Sequence, residues 1–210
     1  MESKDYLKDI TEIKDLMNKS SRFISLSGLS GILAGIYALI GAYLAYNSIY
    51  ENQSLTNDYE ALILEGDQII QIAIVALAVA MLSIITAILM SWKKSKRHNE
   101  SLWDATSKRL LINFLIPLVT GGLFVLFMTE KDVYVYVAPL TLIFYGLALV
   151  NASKYTLGYI RYLGLTNIIL GLSSAWFLGY GLLFWVAGFG ICHIIYGILM
   201  YNKYDRITSN

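Results

Sequence analysis

From Tyr162 to Asn202 the chain carries no Asp, Glu, Lys or Arg. At about 1.5 Å per residue, one helix of that length would run to about twice the roughly 30 Å hydrocarbon core of a bilayer. Two helices joined by a tight turn at Gly179-Tyr180-Gly181 fit it instead. A water-soluble domain has no use for so long a charge-free run, so the chain reads as a polytopic membrane protein. Composition agrees, with 57% hydrophobic and 15% charged residues against roughly 45–50% and 25% in soluble domains. A length of 210 residues leaves room for one membrane domain with short extramembrane segments.

Apolar runs place six spans, over residues 23–46, 69–92, 110–128, 133–151, 162–178 and 182–201. The expected fold is therefore an all-α bundle of six transmembrane helices, spanning residues 23–201. Ahead of it, residues 1–22 form an expected amphipathic helix in which Tyr6, Ile10, Ile13 and Met17 recur at four, three and four, the rhythm of a short coiled-coil seam. Its five acids balance its five bases. A helix that lies on anionic lipid carries a basic polar face, so this one suits a protein contact better: either the protein's own loops, or a second copy or membrane partner. Residues 202–210 form a tail.

Small residues suggest how the spans meet, because close backbone approach is what lipid-embedded helices gain from packing. The first span offers Ser27, Gly31 and Gly35 on one face and Ala34, Ala38 and Ala42 on a neighbouring one, so it is expected inside the bundle. The second offers Ala73, Ala76, Ala80, Ser83 and Ala87. Pro117, one turn before Gly121-Gly122, predicts a kink or local break in the third. A faint repeat links the fourth span (Tyr145-Gly146, Asn151, Lys154-Tyr155) to the sixth (Tyr196-Gly197, Asn202, Lys203-Tyr204). It suggests three hairpins in one orientation, a parallel repeat of the kind transporters use, or simply the shared demands of crossing a bilayer.

Orientation follows from the basic residues. With the N-terminus in the cytoplasm, fifteen of the 16 Lys and Arg fall inside and only Lys131 outside. The expected location is an inner membrane of bacterial type with both termini cytoplasmic. Between the second and third spans, Lys93, Lys94, Lys96 and Arg97 are expected to attract anionic lipid. No nucleic-acid partner is expected.

The spans hold no Asp, Glu, Lys or Arg, which argues against a proton pump or a voltage sensor. No phosphate-binding glycine loop, metal-ligand spacing or carboxylate pair is present, and the single cysteine, Cys192, excludes an internal disulfide. No cofactor or metal is expected, since one intramembrane histidine supplies a single axial ligand for a haem. Helical depth places Ser30, Asn113, Tyr145, Asn167, His193 and Tyr196 in the cytoplasmic half of the membrane. Each needs a hydrogen-bond partner there, either across helices or in a polar cavity that takes a small ligand. The segment Gly28-Leu29-Ser30-Gly31 together with His193 resembles the Gly-x-Ser-Gly serine and distant histidine of rhomboid proteases, which also have six-span cores. That resemblance implies a Ser30–His193 dyad. It extends over four residues and one histidine, and here the serine is on the first span with no second motif beside it. The expected function is a non-enzymatic multi-pass protein acting through assembly or regulation of a membrane complex. A permease or channel for a small neutral solute is the alternative, and an intramembrane hydrolase a distant third.

Overall fold

The computed structural model describes residues 27–50, 66–97 and 103–205. The expected N-terminal helix, with Tyr6, Ile10, Ile13 and Met17, lies outside the described residues. All the described elements are helical, with no strand among them. They are α1 (Gly28–Tyr50), α2 (Gly66–Arg97), α3 (Ala105–Thr129), α4 (Val137–Ala152), α5 (Tyr159–Trp176) and α6 (Gly181–Asp205). Short 3-10 turns flank α4 at Tyr134–Tyr136 and Ser153–Tyr155. Five segments are long and apolar enough to cross a membrane: those of α1, α2, α3, α4 with its flanking turns, and α6. The 18 residues of α5 rise about 27 Å, but Arg161 and Asn167 lower its hydropathy.

Helix ends follow local chemistry more than the apolar boundaries do. The carboxylate of Asp104 accepts from both the amide and the hydroxyl of Ser107 at 2.6 Å, capping α3 five residues before its apolar run. Burial alone would raise the Asp104 carboxyl, but these bonds outweigh it and hold the group below its ordinary value. Between α3 and α4 the chain turns at Glu130-Lys131-Asp132, with Asp132 at φ 58° and its amide donating to Thr129. Between α5 and α6, Gly179 takes φ 90°, a left-handed conformation that costs glycine nothing, at the expected turn. Pro117 does not break α3, which runs helical from Ala105 to Thr129.

The helices follow one another as neighbours in the order α2, α1, α6, α5, α4, α3. Contact between α1 and α6 is made backbone to backbone. A Cβ added at Gly35 would lie 2.7 Å from the Gly190 carbonyl oxygen, and one at Gly197 would lie 2.6 Å from the Ile32 nitrogen. The α4–α5 contact is reciprocal: a Cβ at Gly146 would sit 2.6 Å from the Gly164 oxygen, and one at Gly164 2.8 Å from the Gly146 oxygen. Gly171 meets the Pro139 carbonyl in the same way. So the two Tyr-Gly pairs of the repeat, at 146 and 197, each place glycine against a neighbouring helix backbone.

The expectation that α1 sits inside holds, with Ala38 and Ala42 buried and Gly31 and Gly35 turned to α6. The small face of α2 behaves differently. Ala73, Ala76 and Ala80 are exposed, and α2 packs on α1 by sending the Val75 and Val79 side chains against Gly41. The hole is on α1, so α2 needs a branched knob there and not a small residue.

Glycines with no space predict one outcome and glycines with open space another. Gly164→Ile should force α4 and α5 apart and lower stability by about 1–3 kcal/mol or more. Gly122→Ala, where nothing lies within 4 Å of the new methyl group, should leave the thermal midpoint in detergent unchanged or raise it. Equal melting of both variants would contradict this packing scheme.

Candidate functional site

The polar residues of the spans do not converge on one centre. Ser30 donates to its own chain at the Ser27 carbonyl, 2.6 Å away. Asn113 donates to the Arg109 carbonyl at 2.8 Å, and its own carbonyl accepts from Asn151 on α4 at 2.9 Å. Tyr196 on α6 meets the Thr166 hydroxyl of α5 at 3.3 Å, while Thr166 also donates to Tyr162 at 3.0 Å. These are ties within a helix or between two helices.

A tighter unit forms where α6 changes its winding. Residues Val186–Cys192 are π-helical, so this turn closes over five residues. That spacing brings Gly188 and His193 onto one side of α6. His193 Nδ1 lies 2.9 Å from the Gly188 carbonyl oxygen, and Nε2 lies 2.7 Å from the Tyr145 hydroxyl on α4. A carbonyl can only accept, so Nδ1 carries the hydrogen, and Nε2 is left to accept from Tyr145. Phe189 stacks on the imidazole with ring centroids 5.9 Å apart and also meets the Tyr145 ring at 4.9 Å. Asn167 of α5 completes the surroundings: its Nδ2 donates to the Leu163 carbonyl at 2.9 Å, and a Cβ at Gly188 would meet its Oδ1 at 2.7 Å.

Of the six expected residues, the structure thus brings Tyr145, His193 and Asn167 together around Gly188. It leaves Tyr196 tied to Thr166, and Ser30 and Asn113 elsewhere. Ser30 and His193 do not form a dyad in this arrangement, because both ring nitrogens of His193 are bonded to other groups. Among the described residues two buried oxygens lack a hydrogen-bond partner, Asn167 Oδ1 and Ser174 Oγ, seven residues apart on α5. Among the described residues no group of three His, Cys, Asp or Glu is placed to hold a metal ion. An apolar groove of about 500 Å³ lies between α5 and α6 near their turn, lined by Leu170, Phe177, Tyr180, Leu183, Phe184 and Ala187.

The charged ends hold a contact that sequence reading missed. The Asp205 carboxylate, at the end of α6, accepts from the Gly28 amide at 2.9 Å and the Ser27 hydroxyl at 3.1 Å, and pairs with Lys94 Nζ at 2.7 Å. Both charged side chains are 12% exposed. One carboxylate thereby caps α1 and joins it to the ends of α2 and α6. Lys94, counted in the sequence among the lipid-attracting bases, is committed to this latch. The signal available was an acid beyond the last apolar run; nothing in its spacing marked its partners.

Replacing Tyr145 by Phe removes the hydroxyl and leaves a buried imidazole nitrogen unpaired, at a cost of about 1–3 kcal/mol. Tyr196→Phe should cost less, since Thr166 keeps its bond to Tyr162. Thermal unfolding in detergent ranks the two; a larger loss for Tyr196→Phe would contradict the assignment.

No protein-family model, no curated protein and no solved structure matches the chain.

Proposed function

We propose that this is a non-enzymatic, multi-pass inner-membrane protein with six spans, counting α5, and both termini in the cytoplasm, acting through assembly or regulation of a membrane complex. The observation that carries this reading is how the intramembrane polar groups are used. Among the described residues Ser30, Asn113, Tyr145, His193 and Tyr196 are tied off within a helix or between helices, and the apolar groove between α5 and α6 offers no polar path. Work at the protein's ends suits such a bundle better than passage through it.

Charge supports the same reading. The contacts among the start of α1, the ends of α2 and α6, and Tyr159 of α5 gather Lys94 and Lys203 at one end, next in the chain to Lys93, Lys96, Arg97 and Arg161. The opposite end carries Asp67, Glu130 and Asp132 against Lys131. The positive-inside rule then sets the basic end in the cytoplasm. The Asp205 latch sits where residues 1–26 join the bundle, so it fixes the base from which the N-terminal seam would reach a partner.

A second reading, a permease for a small neutral solute, draws on the two buried oxygens without partners, Asn167 Oδ1 and Ser174 Oγ. A solute with hydrogen-bond donors would satisfy each of them in turn as it moved along α5, about 10 Å from one to the other.

The seam separates the two readings. Changing Ile10 and Ile13 together to Asp would bury two charges in any helix contact there. The expected result is a chain that still inserts and folds but loses its native oligomer size or its co-purifying partner in detergent. Retention of both would remove the support for an assembly role.

A further inference from the structure

We propose that the outer segment of α6, from Gly181 to Ala187, is a jointed flap with a second seating against α5, reached when the π-helical turn below it rewinds. The inference concerns the bundle itself and does not rest on an assembly role.

Single π-helical turns within α-helices are rare and gather at functional sites. In α6 the turn at Val186–Cys192 divides two unlike parts. Towards the basic end the helix is pinned. A Cβ at Gly190 would lie 2.5 Å from Leu39 Cδ2 of α1, and one at Gly197 2.6 Å from the Ile32 nitrogen. Asp205 then holds Gly28 and Lys94. On the other side of the turn the contacts loosen. A Cβ at Gly181 would stand 3.1 Å from the Ala138 Cβ and 3.9 Å from Ser174 Oγ. A groove of about 500 Å³ runs there between Leu183, Phe184 and Ala187 on the segment and Leu170 and Phe177 on α5.

The unpaired oxygens mark the same segment. Among the described residues, the buried side-chain atoms without a hydrogen-bond partner are Asn167 Oδ1 and Ser174 Oγ. Asn167 lies against Gly188, where the segment meets its joint, and Ser174 against Gly181, where the segment begins. Hydrocarbon offers these oxygens nothing, and leaving them buried and unpaired is costly. The observed seating therefore leaves both ends of its contact with α5 unsatisfied. No side chain caps the first turn of α6, and its leading amides, which have no partner within the helix, are donors suited to Ser174. Rewinding the five-residue turn to the α-helical period frees one residue and turns the segment by about 100°. Gly179 and Gly181 border the loop that takes up that residue, and the groove is the space the segment fills.

The test is fluorine NMR of the full chain in detergent, with its four tryptophans replaced by fluorotryptophan and Trp185 assigned by Trp185→Phe. Trp185, on the segment, should give two resonances or one broadened by exchange, while Trp92 on α2 gives one sharp line. A methyl group at Gly188 would collide with Leu142 and Asn167, so Gly188→Ala should remove the parent's main Trp185 resonance and leave the second. Deleting Ala187 takes the extra residue out of the π turn, and should leave Trp185 with a single line and helical content unchanged. A single sharp parent resonance for Trp185 overturns the proposal whatever the variants do, as does a pair of lines that survives the deletion. Doubling of Trp92 together with Trp185 would also overturn it, because the heterogeneity would then belong to the whole chain.

Discussion

Helix backbones meeting directly at glycine is the constraint on which this bundle depends. Within a bilayer, apolar side chains gain nothing by leaving lipid for protein, so association comes from close packing and from hydrogen bonds that hydrocarbon cannot supply. The α1–α6 contact supplies the first through Gly28, Gly35, Gly190 and Gly197, and the α4–α5 contact through Gly146, Gly164 and Gly171. These two seams hold four of the six helices. The outer two attach differently: α2 by valine knobs against Gly41, and α3 through Gly121 against Phe144.

Such close seams leave little room for polar side chains, and the winding of α6 resolves this. Gly190 faces α1 while Gly188 faces Leu142 of α4 and Asn167 of α5, so the helix needs bare backbone on both sides within one turn. The π-helical stretch at Val186–Cys192 supplies that turn and sets His193 on the Gly188 carbonyl and the Tyr145 hydroxyl. One histidine thus ties α6 to α4. At the basic end, Asp205 does for α1, α2 and α6 what His193 does for the interior, with a charge in place of a ring.

Much of the fold was legible in the sequence because lipid imposes strong rules on it. The charge-free run and the Gly179 turn located α5 and α6, and the glycines of the first span announced its central place. The small-residue face of α2 did not say where α2 packs: Ala73, Ala76 and Ala80 are exposed while Ser83 and Ala87 are half-buried, and which face meets a neighbour depends on where that neighbour has its hole, here Gly41. The candidate site was half legible. Residue type and depth singled out Tyr145, Asn167 and His193, yet their convergence depends on a π-helical turn that no residue pattern announced, and the same depth count swept in Ser30 and Asn113, which bond locally. Asp205 escaped notice because its partners lie 111 and 177 residues away in the chain.

The polar ties within and between the helices favour a closed interior, which leaves the surface and the basic end for the assembly role proposed above. In that account Tyr145, Asn167 and His193 hold helices together and meet no aqueous path. Water accessibility tests this most directly. Single cysteines at Tyr145, Asn167 and Tyr196 in a Cys192→Ser chain, exposed in membranes to a small water-soluble thiol reagent from both sides, should remain unlabelled while a cysteine at Lys203 labels fully. Rapid labelling at Tyr145 or Asn167 would reveal a water-filled path to the centre of the bundle, and the closed-interior account would be wrong.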